Sequence, residues 1–272
     1  MRRSAALALS AAVVGALASH DARAVGTRTF ELDTIDKLSG GDMKGASVSS
    51  DGTVRPGFTL GDVPLPYDSG TTATCALVLA DGSVLVGTGP ASGGKIVRIA
   101  NGQASILADT RESAVTALAA DRAGHVFAAT TSNRIYEVTG GKSTVYATLP
   151  GVGSVLALAT DRAGAALYAG TGEDGEVVRI EPGGGSSVYF KSDAPFIVSL
   201  AVASDGAVYA GTSGKSLLYR ITAPGRATVV YDFHAQDVHA IALGPAGVVY
   251  AIANECAAST SSETSETTAP RP

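Results

Sequence analysis

The chain has 272 residues, 45% of them apolar, and a formal net charge of −5. That is enough apolar material for a sizeable core, while an acidic chain without a Lys/Arg stripe suits neither nucleic acid nor an anionic lipid surface. Beyond residue 24 no apolar run approaches the roughly 18 residues that a membrane-spanning helix needs.

Arg2-Arg3, the apolar run from Ser4 to Ala18 and the small-x-small site Ala22-Arg23-Ala24 predict a signal peptide over residues 1–24. Export places the expected location in the periplasm or outside a bacterial cell. Residues 25–73 read as strands that follow the later pattern only loosely. Thr29-Phe30-Glu31-Leu32 alternates, Gly45 to Val54 reads as strand, turn and strand, and Phe58-Thr59-Leu60 starts a third strand.

From residue 74 to 256 a regular repeat of about 41 residues sets in, a period that marks propeller blades. It is marked by Gly87, Ala129, Gly170, Gly211 and Ile252. Each unit opens on an apolar run, such as Val115 to Ala119 or Val155 to Ala159, and turns at Asp81-Gly82 or its equivalents. Asp-Gly predicts a two-residue hairpin turn with both residues at positive φ. A second, third and fourth run follow, as in Leu167 to Thr171, Val177 to Ile180 and Val188 to Phe190. Four short antiparallel strands per unit predict an all-β fold, a β-propeller of about six blades, with five to seven compatible.

The second strand shows why the units must stack. Leu85, Phe127, Tyr168, Tyr209 and Tyr250 are each followed by a small residue, Val86, Ala128, Ala169, Ala210 and Ala251. Neighbours along a strand face opposite sides, so each blade has a bulky face to set on the small face of the next.

The stretch Asp161-Arg162-Ala163-Gly164, Leu167 to Thr171 and Glu176 to Ile180 resembles NHL-type and related bacterial propeller repeats over about 180 residues. WD40 and Kelch repeats are not matched, since the chain has no Trp. The resemblance implies a propeller and leaves the subfamily and the activity open.

The fifth unit ends after its second strand, at Asn254, so a propeller incomplete at its C-terminal side is one expectation. Residues 257–272, rich in Ser, Thr, Glu and Pro, predict a disordered tail. Two readings stay open: the N-terminal strands complete the last blade, or the chain is a piece of a longer propeller. Cys75 and Cys256 could form a disulfide after export.

A ligand-binding mouth is expected where the first strands begin and the second strands end. Its ring position is read as Cys75, Thr116, Leu156, Ser199 and His239, with Thr171, Glu173, Asp174 and Lys215 in the adjoining loops. His239, near His234, Asp232 and Asp237, is the one weak candidate for acid–base chemistry of a metal-dependent lyase or lactonase type. Glu173-Asp174, two adjacent acids in a Gly-rich loop, could hold Ca²⁺; the sequence requires no cofactor and is compatible with Ca²⁺ or Mg²⁺. The function expected is an exported, monomeric binding module for a protein or saccharide ligand, without catalysis of its own.

Overall fold

The computed structural model describes residues 45–49, 53–57, 61–67, 69–161, 164 and 166–255. The signal peptide, Thr29 to Leu32, Phe58 to Leu60, Cys256 and the tail lie outside the described residues. The chain divides into two compact units, Met1–Asp62 and Val63–Pro272. In the first, β1 (Ala46–Val48) and β2 (Val54–Pro56) form an antiparallel hairpin.

The second unit is all-β. Its first sheet contains β3 (Thr71–Val78), β4 (Val84–Pro90), β5 (Lys95–Ala100) and β6 (Gln103–Asp109). The second contains β7 (Val115–Ala120), β8 (Val126–Thr130), β9 (Arg134–Thr139) and β10 (Lys142–Thr148). The third contains β11 (Val155–Thr160), β12 (Leu167–Thr171), β13 (Glu176–Ile180) and β14 (Ser186–Lys191). The fourth contains β15 (Phe196–Val202), β16 (Val208–Ser213), β17 (Leu217–Ala223) and β18 (Arg226–Asp232). A two-stranded fifth unit follows, β19 (Asp237–Leu243) and β20 (Val249–Asn254), touching β16 at Ser213 and Asp237. Four antiparallel four-stranded blades of a β-propeller are therefore present, each with its strands in sequence order.

Bulky faces do pack on small ones. Leu85 of the first blade shares a buried cluster with Ala128 of the second. Phe127 shares one with Ala169 of the third, and Tyr168 one with Ala210 of the fourth. At about 25 cal/mol per Å² of apolar surface, these junctions are where the stabilisation of the stack resides.

The turns differ from the expected two-residue form. Leu79 N–H donates to Ser83 C=O and Gly82 N–H to Leu79 C=O, which makes a three-residue loop. Only Gly82 takes positive φ, at 80°. Asp81 instead uses its side chain, accepting from the Ser83 backbone N–H at 2.9 Å and its hydroxyl at 2.6 Å. A carboxylate that braces the turn removes the need for a second left-handed residue.

Each first strand carries a β-bulge near its start, and this corrects the ring position. Val115, Val155, Ile197 and Val238 stand opposite Thr130, Thr171, Thr212 and Ala253, and in the first blade Ala73 stands opposite Thr88. The bulge residues that follow are Thr74, Thr116, Leu156, Val198 and His239. Cys75 and Ser199 therefore sit one position further along, opposite Gly87 and Gly211. The extra residue of a bulge shifts the register by one, and nothing in the apolar pattern reveals it.

Candidate ligand-binding face

Several hydroxyls expected at the mouth are engaged between blades. Thr116 Oγ1 donates to Val155 C=O at 2.6 Å, and the buried Ser199 Oγ to Val238 C=O at 2.6 Å. Thr74 Oγ1 makes the matching bond to Val115 C=O at 2.5 Å. In each case a bulge or near-bulge hydroxyl clasps the first strand of the next unit.

The threonines near the ends of the second strands brace the following turn. Thr88 Oγ1 donates to Lys95 C=O at 3.1 Å and Thr130 Oγ1 to Arg134 C=O at 3.2 Å. The buried Thr171 accepts from Glu176 N–H at 3.0 Å, and Thr212 from Leu217 N–H at 2.9 Å.

Glu173, Asp174 and Lys215 are exposed on these loops. Lys191 Nζ lies 3.7 Å from Asp174 and 3.0 Å from Glu176. His239 is exposed on β19. His234, at φ 49°, has Nδ1 3.5 Å from Asp232 Oδ1. Among the described residues no three His, Cys, Asp or Glu side chains gather as metal ligands. Cys75 is half-buried, and burial raises its thiol pKa. Its pairing with Cys256 falls outside the described residues.

The large cavity lies at the other end of the strands. Its volume is about 1410 Å³, and all five repeat units contribute to its wall through the turns between first and second strands. Val78, Leu79, Leu243 and Val248 supply apolar surface, and Tyr209 an aromatic edge. Asp81, Asp121, Asp161 and Asp205 stand at equivalent turns around it.

Three of these carboxylates have identified cationic partners. Asp81 Oδ2 lies 2.5 Å from Arg98, and Asp205 Oδ2 2.6 Å from Arg220. Hydrogen bonds from Ser83, with Arg98 beside them, hold the Asp81 carboxyl below its ordinary pKa. The Ala207 N–H and then Arg220 do the same for Asp205. In the second blade Glu137 occupies the position of Arg98 and Arg220, and His125 takes over. Its Nδ1 lies 2.7 Å from Asp121 Oδ2, a contact that raises the histidine pKa. Arg122 is exposed on the rim and has no salt bridge among the described residues. The recurring turn aspartate was the available sequence sign of this face. Its structural role as a turn residue gave no reason to expect a cavity.

No family model matches the chain, and no curated protein matches its sequence. Solved structures do resemble it. Virginiamycin B lyase from Staphylococcus aureus is 23% identical with a TM-score of 0.58, over 76% of this chain and 69% of the lyase. The calcium-binding protein regucalcin from Agrobacterium tumefaciens is 15% identical with a TM-score of 0.52, over 62% of this chain and 63% of regucalcin. The WD40 β-propeller domain of Doa1 is 12% identical with a TM-score of 0.55, over 65% of this chain and 59% of that one. The similarity is one of fold, and it makes the chain a β-propeller protein. The neighbours include a lyase and a calcium-binding protein.

Proposed function

We propose that this protein is an exported, NHL-like propeller that binds a saccharide or a protruding segment of a partner protein in the cavity at the first turns. The observation that carries the reading is the convergence of all five repeat units on one cavity of about 1410 Å³. At the opposite mouth, by contrast, the hydroxyls of Thr116, Ser199 and Thr171 are spent on internal hydrogen bonds. A cavity of this size exceeds the ~300–1,000 Å³ of ordinary small-molecule pockets, which favours an oligomeric ligand or a protein loop.

The wall suits a polyhydroxylated ligand. Tyr209 and the aliphatic residues offer faces on which sugar rings can lie, while Arg98, Arg122 and the turn carboxylates offer donors and acceptors at the rim. Export to the periplasm or beyond would give access to such ligands. Thermal-shift screening against chito-, xylo- and malto-oligosaccharides and soluble peptidoglycan fragments tests the saccharide arm. Affinity capture from envelope and culture-medium fractions, repeated with Val78→Glu, tests the protein arm. A ligand whose effect disappears in Val78→Glu supports the reading. Binding that survives that substitution, or no ligand in either arm, contradicts it.

A further inference from the structure

The first turns of the blades share one arrangement. The aspartate of the turn accepts the N–H of the residue that enters the second strand. Ser83 N–H donates to Asp81 at 2.9 Å, His125 N–H to Asp121 at 2.9 Å, and Ala207 N–H to Asp205 at 3.1 Å. In the first and fourth blades an arginine of the third strand then pairs with that carboxylate. Arg98 stands opposite Leu85 across the sheet, and Arg220 opposite Tyr209. A guanidinium keeps its charge throughout the physiological pH range.

The second blade departs from this arrangement at two positions together. Glu137 stands opposite Phe127, in the place of the arginine. The residue entering the second strand is His125, whose Nδ1 lies 2.7 Å from Asp121 Oδ2. The Asp121 side chain is only 7% exposed, against 53% for Asp81 and 56% for Asp205. The third blade approaches it closely. A Cβ on Gly164 would lie 3.0 Å from Asp121 Oδ2, and Thr160 Oγ1 donates to the Ala120 C=O at 2.9 Å. Asp121 and Glu137 are the charged groups that act on His125, and Tyr146 of β10 lies in the field of both carboxylates. A buried carboxylate is costly unless it is paired, and here the pairing cation is one that can lose its charge.

We propose that the first turn of the second blade is a pH-sensitive latch in the cavity wall, fastened by the His125–Asp121 pair while the imidazole is protonated and loosened when it is neutral. A charge-assisted hydrogen bond is about twice as strong as a neutral one, so loss of the proton weakens the hold on Asp121. Asp121, Arg122 and Gly124 line the cavity. The second blade's sector of the wall is therefore firm on the acid side and loosens as pH rises through the histidine's titration. The turns of the first and fourth blades, held by Arg98 and Arg220, do not respond. The effect on a bound ligand rests on the cavity being the binding face; the latch itself does not.

The test is solvent-exchange NMR of the backbone amides in the full, isotope-labelled chain, from about pH 5.5 to about pH 8.5, a range that spans an ordinary or raised histidine. Each rate is divided by the intrinsic rate at its pH, which leaves a protection factor. The His125 amide is expected to lose protection several-fold across the range, while the equivalent amides of Ser83 and Ala207 keep theirs. His125→Gln offers a neutral donor at every pH and is expected to hold the amide of residue 125 at one level of protection. Constant protection at His125, an equal loss at all three amides, or a loss that persists in His125→Gln overturns the proposal. These outcomes are read without a ligand, so failure of the latch is distinct from failure of the binding reading.

Discussion

Gly211 shows how one missing carbon positions a whole blade. With no Cβ there, the first strand of the fifth unit lies directly against β16, and Val238 is fully buried. Gly211→Val should overpack this junction, at a cost of about 1–3 kcal/mol. Gly185→Ala is the control, because a Cβ there meets nothing within 4 Å. Denaturant unfolding of the two variants is expected to show a lower midpoint for the first and none of that loss for the second.

His125 is the other informative residue. Asp121 accepts from it, and Glu137 adds to the negative field around it, so its pKa is raised. A raised pKa means that the folded state holds the proton more tightly than the unfolded chain. The stabilisation is fully present below about pH 6.5 and is lost as pH rises through the folded value. An NMR titration should find the His125 midpoint above about 6.5 and return it towards that value in Asp121→Asn. A midpoint unaffected by the substitution would remove Asp121 as the cause.

At the scale of the element, the clasp between blades matters more than strand propensity. Thr116→Val keeps the shape of the side chain and leaves the Val155 carbonyl without its donor. The expected loss is about 1–3 kcal/mol, read as a lower unfolding midpoint with the strand content unchanged by circular dichroism. Strand order and blade period were legible in the sequence, because a period of 2 in burial and a period of about 41 in turns are both written in residue type. The alternation of Tyr168 with Ala169 gave the packing rule as well. The bulge was not legible: an extra residue such as Thr116 or His239 looks like any other strand residue until its partner across the sheet is known. For that reason the apolar pattern sets Cys75 and Ser199 one position from their register in the sheet, and it gives no sign that the Thr116 hydroxyl donates to the next blade.

The candidate site was less legible than the fold. A cavity walled by five turns is a property of how units are arranged about an axis, and no single turn carries it. Asp81 and Asp205 read as ordinary turn residues and are that as well, bonded to Ser83 and Ala207. Val78 and Leu243 read as strand ends. Only their meeting around one space gives them a common role.

The cavity at the first turns is the proposed binding face. The most direct measurement is titration calorimetry with the ligand that gives the largest thermal shift, comparing Val78→Glu and Arg122→Ala with Glu173→Ala and Lys215→Ala. Affinity lost in the first pair and retained in the second is the predicted result. Affinity retained in the first pair and lost in the second would place binding at the opposite mouth and contradict the account.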